Sequence, residues 1–351
     1  MWKKKICLFA ITLIISLSCE KNNVVSGNFS FLVTGNVQGE LYPKKMRRGS
    51  LGGLARRSTY INKVKKDMNP IILDAGNLFA ENTNGAALIN SYNKIGYDAF
   101  NVGIDDLSIK DRIKKMEKLA DFPFISANII DKESGKLAFK PYMIIKRNRF
   151  KIGIIGLSNN RNLNTDYTIT DPVVAGQKIL KALAKNTRYQ VVMFNGTFDQ
   201  SIQLKKGITE ADFIFVSGHK QIPRKTKAHD GGAFTYSVGE YGQSIVSTTI
   251  NIGHVDSSLK DISMLLEREK FIDETLDLLH GGSTISLEKM YSGNYDMTQR
   301  IKRIKLELQS TREELEKTVN SVEFDFIPLS DSIKDDETIN SIINEVNVEL
   351  N

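Results

Sequence analysis

Phe29-Ser-Phe-Leu-Val-Thr-Gly-Asn-Val-Gln-Gly39 decides the fold, because an almost wholly apolar run ends abruptly in a polar, glycine-bearing loop. The same pattern returns at Ile71-Ile-Leu-Asp-Ala-Gly-Asn77, Ala99-Phe-Asn-Val-Gly-Ile-Asp105, Gln190-Val-Val-Met-Phe-Asn-Gly196 and Phe213-Ile-Phe-Val-Ser-Gly218. Strands this apolar are buried on both faces. Working outward, the run lengths predict strands over 29–35, 71–76, 99–103, 124–129, 142–146, 151–156, 190–194, 213–217, 234–238 and 244–252. Amphipathic spacing predicts helices over 51–66, 85–95, 108–119, 173–183 and 200–206. Alternation of the two points to an α/β layered domain, in which function gathers where strand ends meet loops.

Those strand-end loops, taken in order, carry a resemblance. Thr34-Gly-Asn-Val-Gln-Gly39, Gly52-Gly-Leu-Ala-Arg-Arg57, Leu73-Asp-Ala-Gly-Asn77, Val102-Gly-Ile-Asp105, Met193-Phe-Asn-Gly196 and Ser217-Gly-His-Lys-Gln221 resemble the 5′-nucleotidase branch of the calcineurin-like metallophosphoesterases. The resemblance covers residues 29–255, and several ordered segments are more specific than any one motif. It implies a four-layer αββα sandwich, secreted or surface-exposed, with a two-metal site at the sheet ends.

The same resemblance shows what has changed. Family ligand positions are filled here by Asn36, Gln38, Asn77, Ile104 and Asn195, and the position of the catalytic His is Asp105. His219 keeps the family residue, and Gln221 is a residue that some members use. Hard divalent ions select carboxylate and imidazole donors, for which a neutral amide is a poor substitute. Two doubly charged ions about 3.5 Å apart repel by roughly 19 kcal/mol even at an effective dielectric near 20. Without the bridging carboxylate that must offset this, no dinuclear centre and no cofactor are expected. Amides do keep the hydrogen-bonding capacity of the lost ligands, so the cluster can satisfy itself or hold a neutral polar ligand. Asp74 is expected to brace its own turn. Asp105 and Asp106 are expected at the N-terminus of the following helix, with a rebuilt single-metal site as the alternative. His229, His254 and His280 lie outside the matching loops and read as surface or packing residues.

The function expected is therefore a non-catalytic binding or structural module, a pseudoenzyme on a phosphatase scaffold. The alternative is a weak or altered phosphoesterase that uses Mn, Zn or Mg. A nucleotide specificity has no basis, because the residues after 256 read as helices rather than as a substrate domain with a base-stacking aromatic pair.

Length and composition agree with a folded globular chain: 351 residues, 41% hydrophobic and 25% charged, with only 2 cysteines. Neither Cys7 nor Cys19 is expected in the folded body. Lys3, Lys4 and Lys5 precede an apolar run over 6–15 that is too short to span a bilayer, so residues 1–18 read as a signal peptide. Ser16-Leu-Ser-Cys19 resembles a bacterial lipoprotein signal in which Cys19 is acylated, followed by a tether over 19–28; an ordinary secretory leader is the alternative. The expected home is the bacterial cell envelope, anchored to an inner or outer membrane. Formal charge is +7, and three lysines but no acids lie in the leader, leaving +4 for the mature chain. That is no nucleic-acid footprint. The basic stretch from Lys44 to Lys66 could touch anionic headgroups as well as water. From 257 to 351 the period turns helical, with Leu259, Ile262, Leu266, Ile272, Leu276 and Leu279 on one face and Ile301, Ile304, Leu308 and Leu315 on another. This predicts a C-terminal helical hairpin after a domain over 29–256. Glu269 and Thr311 interrupt the heptads, so the hairpin is expected to brace the body of a monomer.

Overall fold

The computed structural model describes residues 26–80, 83, 85–108, 112–159, 165–218 and 231–348. Cys19 and the leader, His219, Gln221 and His229 lie outside the described residues.

In chain order the elements are β1 (Gly27–Thr34), β2 (Pro43–Lys45), β3 (Ser50–Gly52), α1 (Leu54–Asp67), β4 (Ile71–Asp74), α2 (Gly85–Ile95), β5 (Ala99–Asn101), α3 (Arg112–Leu119), β6 (Phe124–Ile125), β7 (Ile129–Asp131), β8 (Tyr142–Arg147), β9 (Phe150–Ser158) and β10 (Tyr167–Ile169). There follow α4 (Pro172–Leu183), β11 (Tyr189–Asn195), α5 (Phe198–Gly207), β12 (Phe213–Ser217), β13 (Phe234–Ser237), β14 (Ser244–Ile252), β15 (Leu259–Asp261), α6 (Ser263–His280), α7 (Leu287–Met290), α8 (Tyr295–Glu316), β16 (Asn320–Pro328) and α9 (Glu337–Val348). A single 3₁₀ turn, Asp105–Ser108, follows β5.

Two sheets face one another. One has the order β15-β16-β14-β1-β4-β5-β6, the other β13-β12-β11-β9-β8. Strand pleating explains how both faces are used, since successive side chains point to opposite sides. In β1, Phe31 and Val33 enter the core between the sheets with Leu73, Ile154, Val191, Met193, Phe213 and Phe215, while Leu32 enters the core under the helices. That outer core joins β4 and β5 to α1, α2, α3 and α9 through Ile72, Phe100, Leu54, Leu88, Ile113 and Ile339. On the far face, Ile155, Val192 and Ile214 pack against Leu180 of α4 and Leu204 of α5. These are the four layers, αββα, of the expected sandwich. Each fully buried side chain of this size stabilises the fold by roughly 1.5–3 kcal/mol.

Local chemistry starts the far-face helices. Asp171 caps α4 by accepting from Val173 N and Val174 N, with Pro172 in the first turn where its missing donor costs nothing. Thr197 and Gln200 form a reciprocal capping box on α5.

The expected helical region after 256 is different in one respect. Leu259 lies in β15, a strand that pairs parallel with β16, and the helix starts only at Ser263. The division expected at 257 thus falls inside the seven-stranded sheet, because β16 lies between β15 and β14, and α9 seals the outer core with Ile339 and Ile343. Only α6, α7 and α8 stand apart as a helical unit.

Within the first sheet β1, β4, β5 and β6 run parallel, as do β9, β11, β12 and β13 in the second. Their C-terminal ends therefore collect at one edge of the sandwich, and the loops there form the candidate site.

Candidate functional site

The loops after β1 and β4 run side by side as a short backbone ladder. Ala75 N donates to Thr34 O at 2.8 Å, Asn36 N to Gly76 O at 2.7 Å, Gln38 N to Asn77 O at 3.0 Å and Gly39 N to Leu78 O at 2.9 Å. Three residues of this ladder hold left-handed backbone, with φ of 52° at Asn36, 51° at Gln38 and 59° at Asn77. Asparagine tolerates that region better than most residues, whereas a glutamine there is uncommon.

Their side chains are turned toward one another. Asn77 Nδ2 donates to Asn36 Oδ1 at 3.2 Å, and Asn36 Nδ2 donates to Gly239 O at 3.1 Å. Asn77 Oδ1 accepts from Asp105 N at 3.2 Å. From the second sheet, Asn195 Oδ1 accepts from Ile104 N at 2.9 Å, while Asn195 Nδ2 donates to Ser217 Oγ at 2.8 Å. Ser217 Oγ donates in turn to Ala75 O at 2.6 Å, tying the two sheets together. Asn36, Asn77, Asn195 and Ser217 are all buried.

Asp105 and Asp106, expected as a pair at a helix start, are separated by the structure. Asp105 is exposed and opens the 3₁₀ turn. Asp106 is buried, and its carboxylate accepts from Asn77 N at 3.0 Å, Gly103 N at 2.7 Å and Phe79 N at 2.9 Å. It is a clamp between two loops rather than a solvated helix-cap acid. Burial pushes it up to about 8, against the pull of these three donors and with the Asp74 charge adding to the rise. Asp74 does brace its turn, accepting from Gly76 N at 3.0 Å. It also accepts from Thr34 Oγ1 at 2.8 Å and Tyr92 OH at 2.7 Å. Burial raises it above the usual carboxylate range despite those bonds.

Beneath the site lies a network whose role the sequence did not disclose. Arg57, in the Gly-Gly-Leu-Ala-Arg-Arg segment, is fully buried; its NH1 donates to Tyr92 OH at 2.8 Å and Tyr97 OH at 3.3 Å, and its NH2 to Gly242 O at 3.3 Å. Burial alone would lower Arg57, but Tyr92, Tyr97 and Asp74 together hold it above its ordinary value. Thr34 and Tyr97 share a 2.8 Å bond, which closes the ring of partners. The clue available in sequence was an arginine inside a helix whose other inward positions are Leu54, Ala55, Ser58 and Ile61. His254 and His280 sit at the end of β14 and at the last turn of α6, outside these loops.

Among the described residues the side chains at the site do not offer a donor set that fits a pair of metal ions. Each side-chain oxygen of Asn36, Asn77 and Asn195 already accepts from a protein N–H, both oxygens of Asp106 are engaged by backbone, and Ile104 has no donor atom in its side chain. Among the described residues no group of three or more His, Cys, Asp or Glu converges.

Comparison with known proteins follows the same lines. No protein-family model matches the chain. The chain is 27% identical over 203 residues to a 5′-nucleotidase of Vibrio cholerae, the alignment covering 49% of this chain and 36% of that protein. Among solved structures, the 5′-nucleotidase precursor of Thermus thermophilus superposes with a TM-score of 0.64 at 16% identity, over 92% of this chain and 59% of that one. The calcineurin-like phosphoesterase YfkN of Bacillus subtilis gives 0.61 at 14% identity, over 92% and 98% respectively. The fold is thus that of the calcineurin-like phosphoesterases, and the resemblance to the 5′-nucleotidase branch read from the loops is supported by relatives of that name. The chain spans little more than a third of the length of the curated relatives it matches.

Proposed function

We propose that this chain is a lipid-anchored protein of the bacterial envelope, built on a 5′-nucleotidase-like scaffold that has lost its dinuclear centre and serves as a binding or structural module. The Asn36–Asn77 bond carries this reading, because two positions that in the family hold metal spend their side chains on each other. Around them Asn195, Asp106 and Ser217 hydrogen-bond to the loops, which supports a site edge shaped by hydrogen bonds rather than by ions. The anchor rests on the Ser16-Leu-Ser-Cys19 pattern; among the described residues no helix is long and apolar enough to cross a membrane.

Elemental analysis after incubation with Mn²⁺ and gel filtration, paired with an assay of AMP and bis(p-nitrophenyl) phosphate hydrolysis, tests the proposal. Substoichiometric metal and no Mn²⁺-dependent turnover are expected. Two retained ions per chain with turnover would instead establish the alternative, an altered metal-dependent phosphoesterase.

A further inference from the structure

The stretch from Lys44 to Lys66, one basic run in sequence, is divided by the fold. Lys44, Lys45, Arg47 and Arg48 sit in and beside the β2–β3 hairpin, which follows the C-terminal end of β1. Because β1 and β4 are parallel, α1 carries the chain back before β4 begins, so Lys63, Lys65 and Lys66 close α1 at the opposite end of the sandwich. The next crossover helices repeat this, with Lys94 ending α2, Lys118 ending α3 and Lys181 ending α4. The negative end of each helix dipole accounts for a lysine there.

It does not account for the turn between β8 and β9, Lys146-Arg-Asn-Arg-Phe-Lys151, at that same end. Lys146 and Lys151 are both exposed and stand directly opposite one another in the antiparallel register, where like charges destabilise a sheet. Arg188 N donates to Lys151 O at 2.8 Å, and Lys185 precedes it in the loop after α4, so both extend the same surface. No acid occurs from Ser134 to Thr165 or from Pro172 to Phe198. The acids that other loops bring to this end have partners close by: Asp98 pairs with Arg147 at 2.9 Å, Asp212 accepts from Gln190 N at 2.7 Å, Glu210 accepts from Thr209 and Asp256 lies 4.0 Å from His254. Asp67 and Asp121 stay with α1 and α3 in the other helical layer. Beyond β14, Glu313 and Glu314 at the end of α8 pair with Lys317 and Lys260.

The chain enters the body at this surface. Asn148 Nδ2 donates to Asn28 O at 2.5 Å, the Phe150 ring lies 5.4 Å from that of Phe29, and Arg149 lines one groove with Ser26, Gly27 and Asn28. The segment from Cys19 to Ser26 reaches at most about 28 Å when fully extended. An anchor on Cys19 therefore keeps the start of β1 within that distance of a bilayer, while Asn36, Asn77 and Asn195 lie a strand's length farther away. We propose that the surface around Lys146, Arg149, Lys151, Lys185 and Arg188 docks on anionic lipid headgroups. Its charge is complementary to such headgroups, and its place beside the tether selects a lipid surface over a soluble anion. Lipid and basic patch then act as two signals: the first holds the chain, the second orients it with the amide-lined site edge facing away from the membrane. The choice of surface rests on the anchor of the proposed function; the docking face is read independently of it.

Lysine footprinting of the full chain tests this. The protein is mixed with vesicles of phosphatidylcholine alone or of phosphatidylcholine with phosphatidylglycerol, acetylated briefly with a membrane-impermeant reagent and mapped by mass spectrometry. On the anionic vesicles Lys146, Lys181 and Lys185, all exposed, should react about tenfold more slowly than on neutral ones, and exposed Lys45 at the opposite edge should react equally on both. High salt should erase the difference by screening. The double variant Arg149→Glu with Lys151→Glu should return Lys185 to its rate on neutral vesicles. Equal rates on the two vesicles would overturn the proposal, as would protection of Lys45 in place of Lys146 or protection that survives the double variant. Absence of an acyl group on Cys19 in the same spectra would count against the anchor alone, and the footprint decides the docking face in either case.

Discussion

Asn77 Nδ2 lies 3.2 Å from Asn36 Oδ1, and this bond adds a side-chain tie to the backbone ladder that joins the loop after β1 to the loop after β4. The bond needs an amide on at least one side. Two carboxylates at that distance would repel unless a cation sat between them, whereas two amides present a donor to an acceptor. The two amides can therefore meet directly, with no charge between them for an ion to offset.

Asn77→Asp is expected to destabilise the protein. The new carboxylate would turn an acceptor toward Asn36 Oδ1 and add a charge beside buried Asp106, whose carboxylate accepts from the same residue's backbone N–H. A loss of about 1–3 kcal/mol follows from leaving the buried acceptor unmatched. Urea unfolding with and without Mn²⁺ would measure it. Recovery of the wild-type midpoint by Mn²⁺ would show that the loops still accept a metal.

Stability should fall as pH rises from 5 to 8.5. Asp106 is pushed up to about 8 and Asp212 up to about 6, both chiefly by burial, while an unfolded aspartate titrates near 4. Between those values the folded state holds protons that the unfolded chain has released. The stabilisation is thus complete below about pH 4 and is lost as pH rises first through the Asp212 value and then through the Asp106 value. Inside its window each proton contributes up to about 1.4 kcal/mol per pH unit. Asp106→Asn should flatten the limb between pH 6 and 8 and roughly halve the slope of the lower one, where Asp212 alone would remain. A urea midpoint that climbs over this range would reverse the sign assigned here.

The sequence makes the sheet order's raw material legible and hides what depends on chain ends meeting. The expected helix over 85–95 coincides with α2 and the expected strand over 244–252 with β14, because both are long and strongly patterned. The strand β15 is three residues long, and Leu259 and Ile262 fit the helical period of α6 as well as they fit a strand, so periodicity absorbs them into the helix. In the site, the loops are legible from their glycine and asparagine motifs. Asp106 is not, since two adjacent acids read as solvated until the Asn77 and Phe79 amides are folded onto one of them. The bond from Asn195 to Ser217 likewise requires the parallel register of β11 and β12, which sets those two residues opposite each other.

Cys19→Ala should release the protein from membranes or stop processing of the leader. Acylation needs the thiol, and attachment by acyl chains strengthens with the number of buried methylenes. Phase partitioning in Triton X-114 with a size shift on a gel reads both effects. Unchanged partitioning into the detergent phase would locate membrane affinity elsewhere in the chain.

Tyr92→Phe is the sharpest test of what holds the site edge rigid. Tyr92 OH donates to Asp74 Oδ2 at 2.7 Å and accepts from Arg57 NH1 at 2.8 Å, so one hydroxyl links a buried cation to a buried carboxylate. Removing it leaves the ring, stacked on Tyr97 at 3.9 Å between centroids, in place and deletes only the bridge. Two buried groups then each lose a partner, at a cost of about 1–3 kcal/mol. Arg57→Met should cost more, about 3–5 kcal/mol, because it strips the positive charge from beside Asp74 and leaves that carboxylate buried without compensation. The double variant Arg57→Met with Asp74→Asn should recover part of this loss if charge compensation is the cause. Chemical denaturation of the set, analysed as a double-mutant cycle, gives the coupling directly. A coupling of zero would mean that Arg57 acts through packing on Tyr92 and Gly242 alone, and that the charge of Asp74 is balanced by its hydrogen bonds to Thr34, Gly76 and Tyr92.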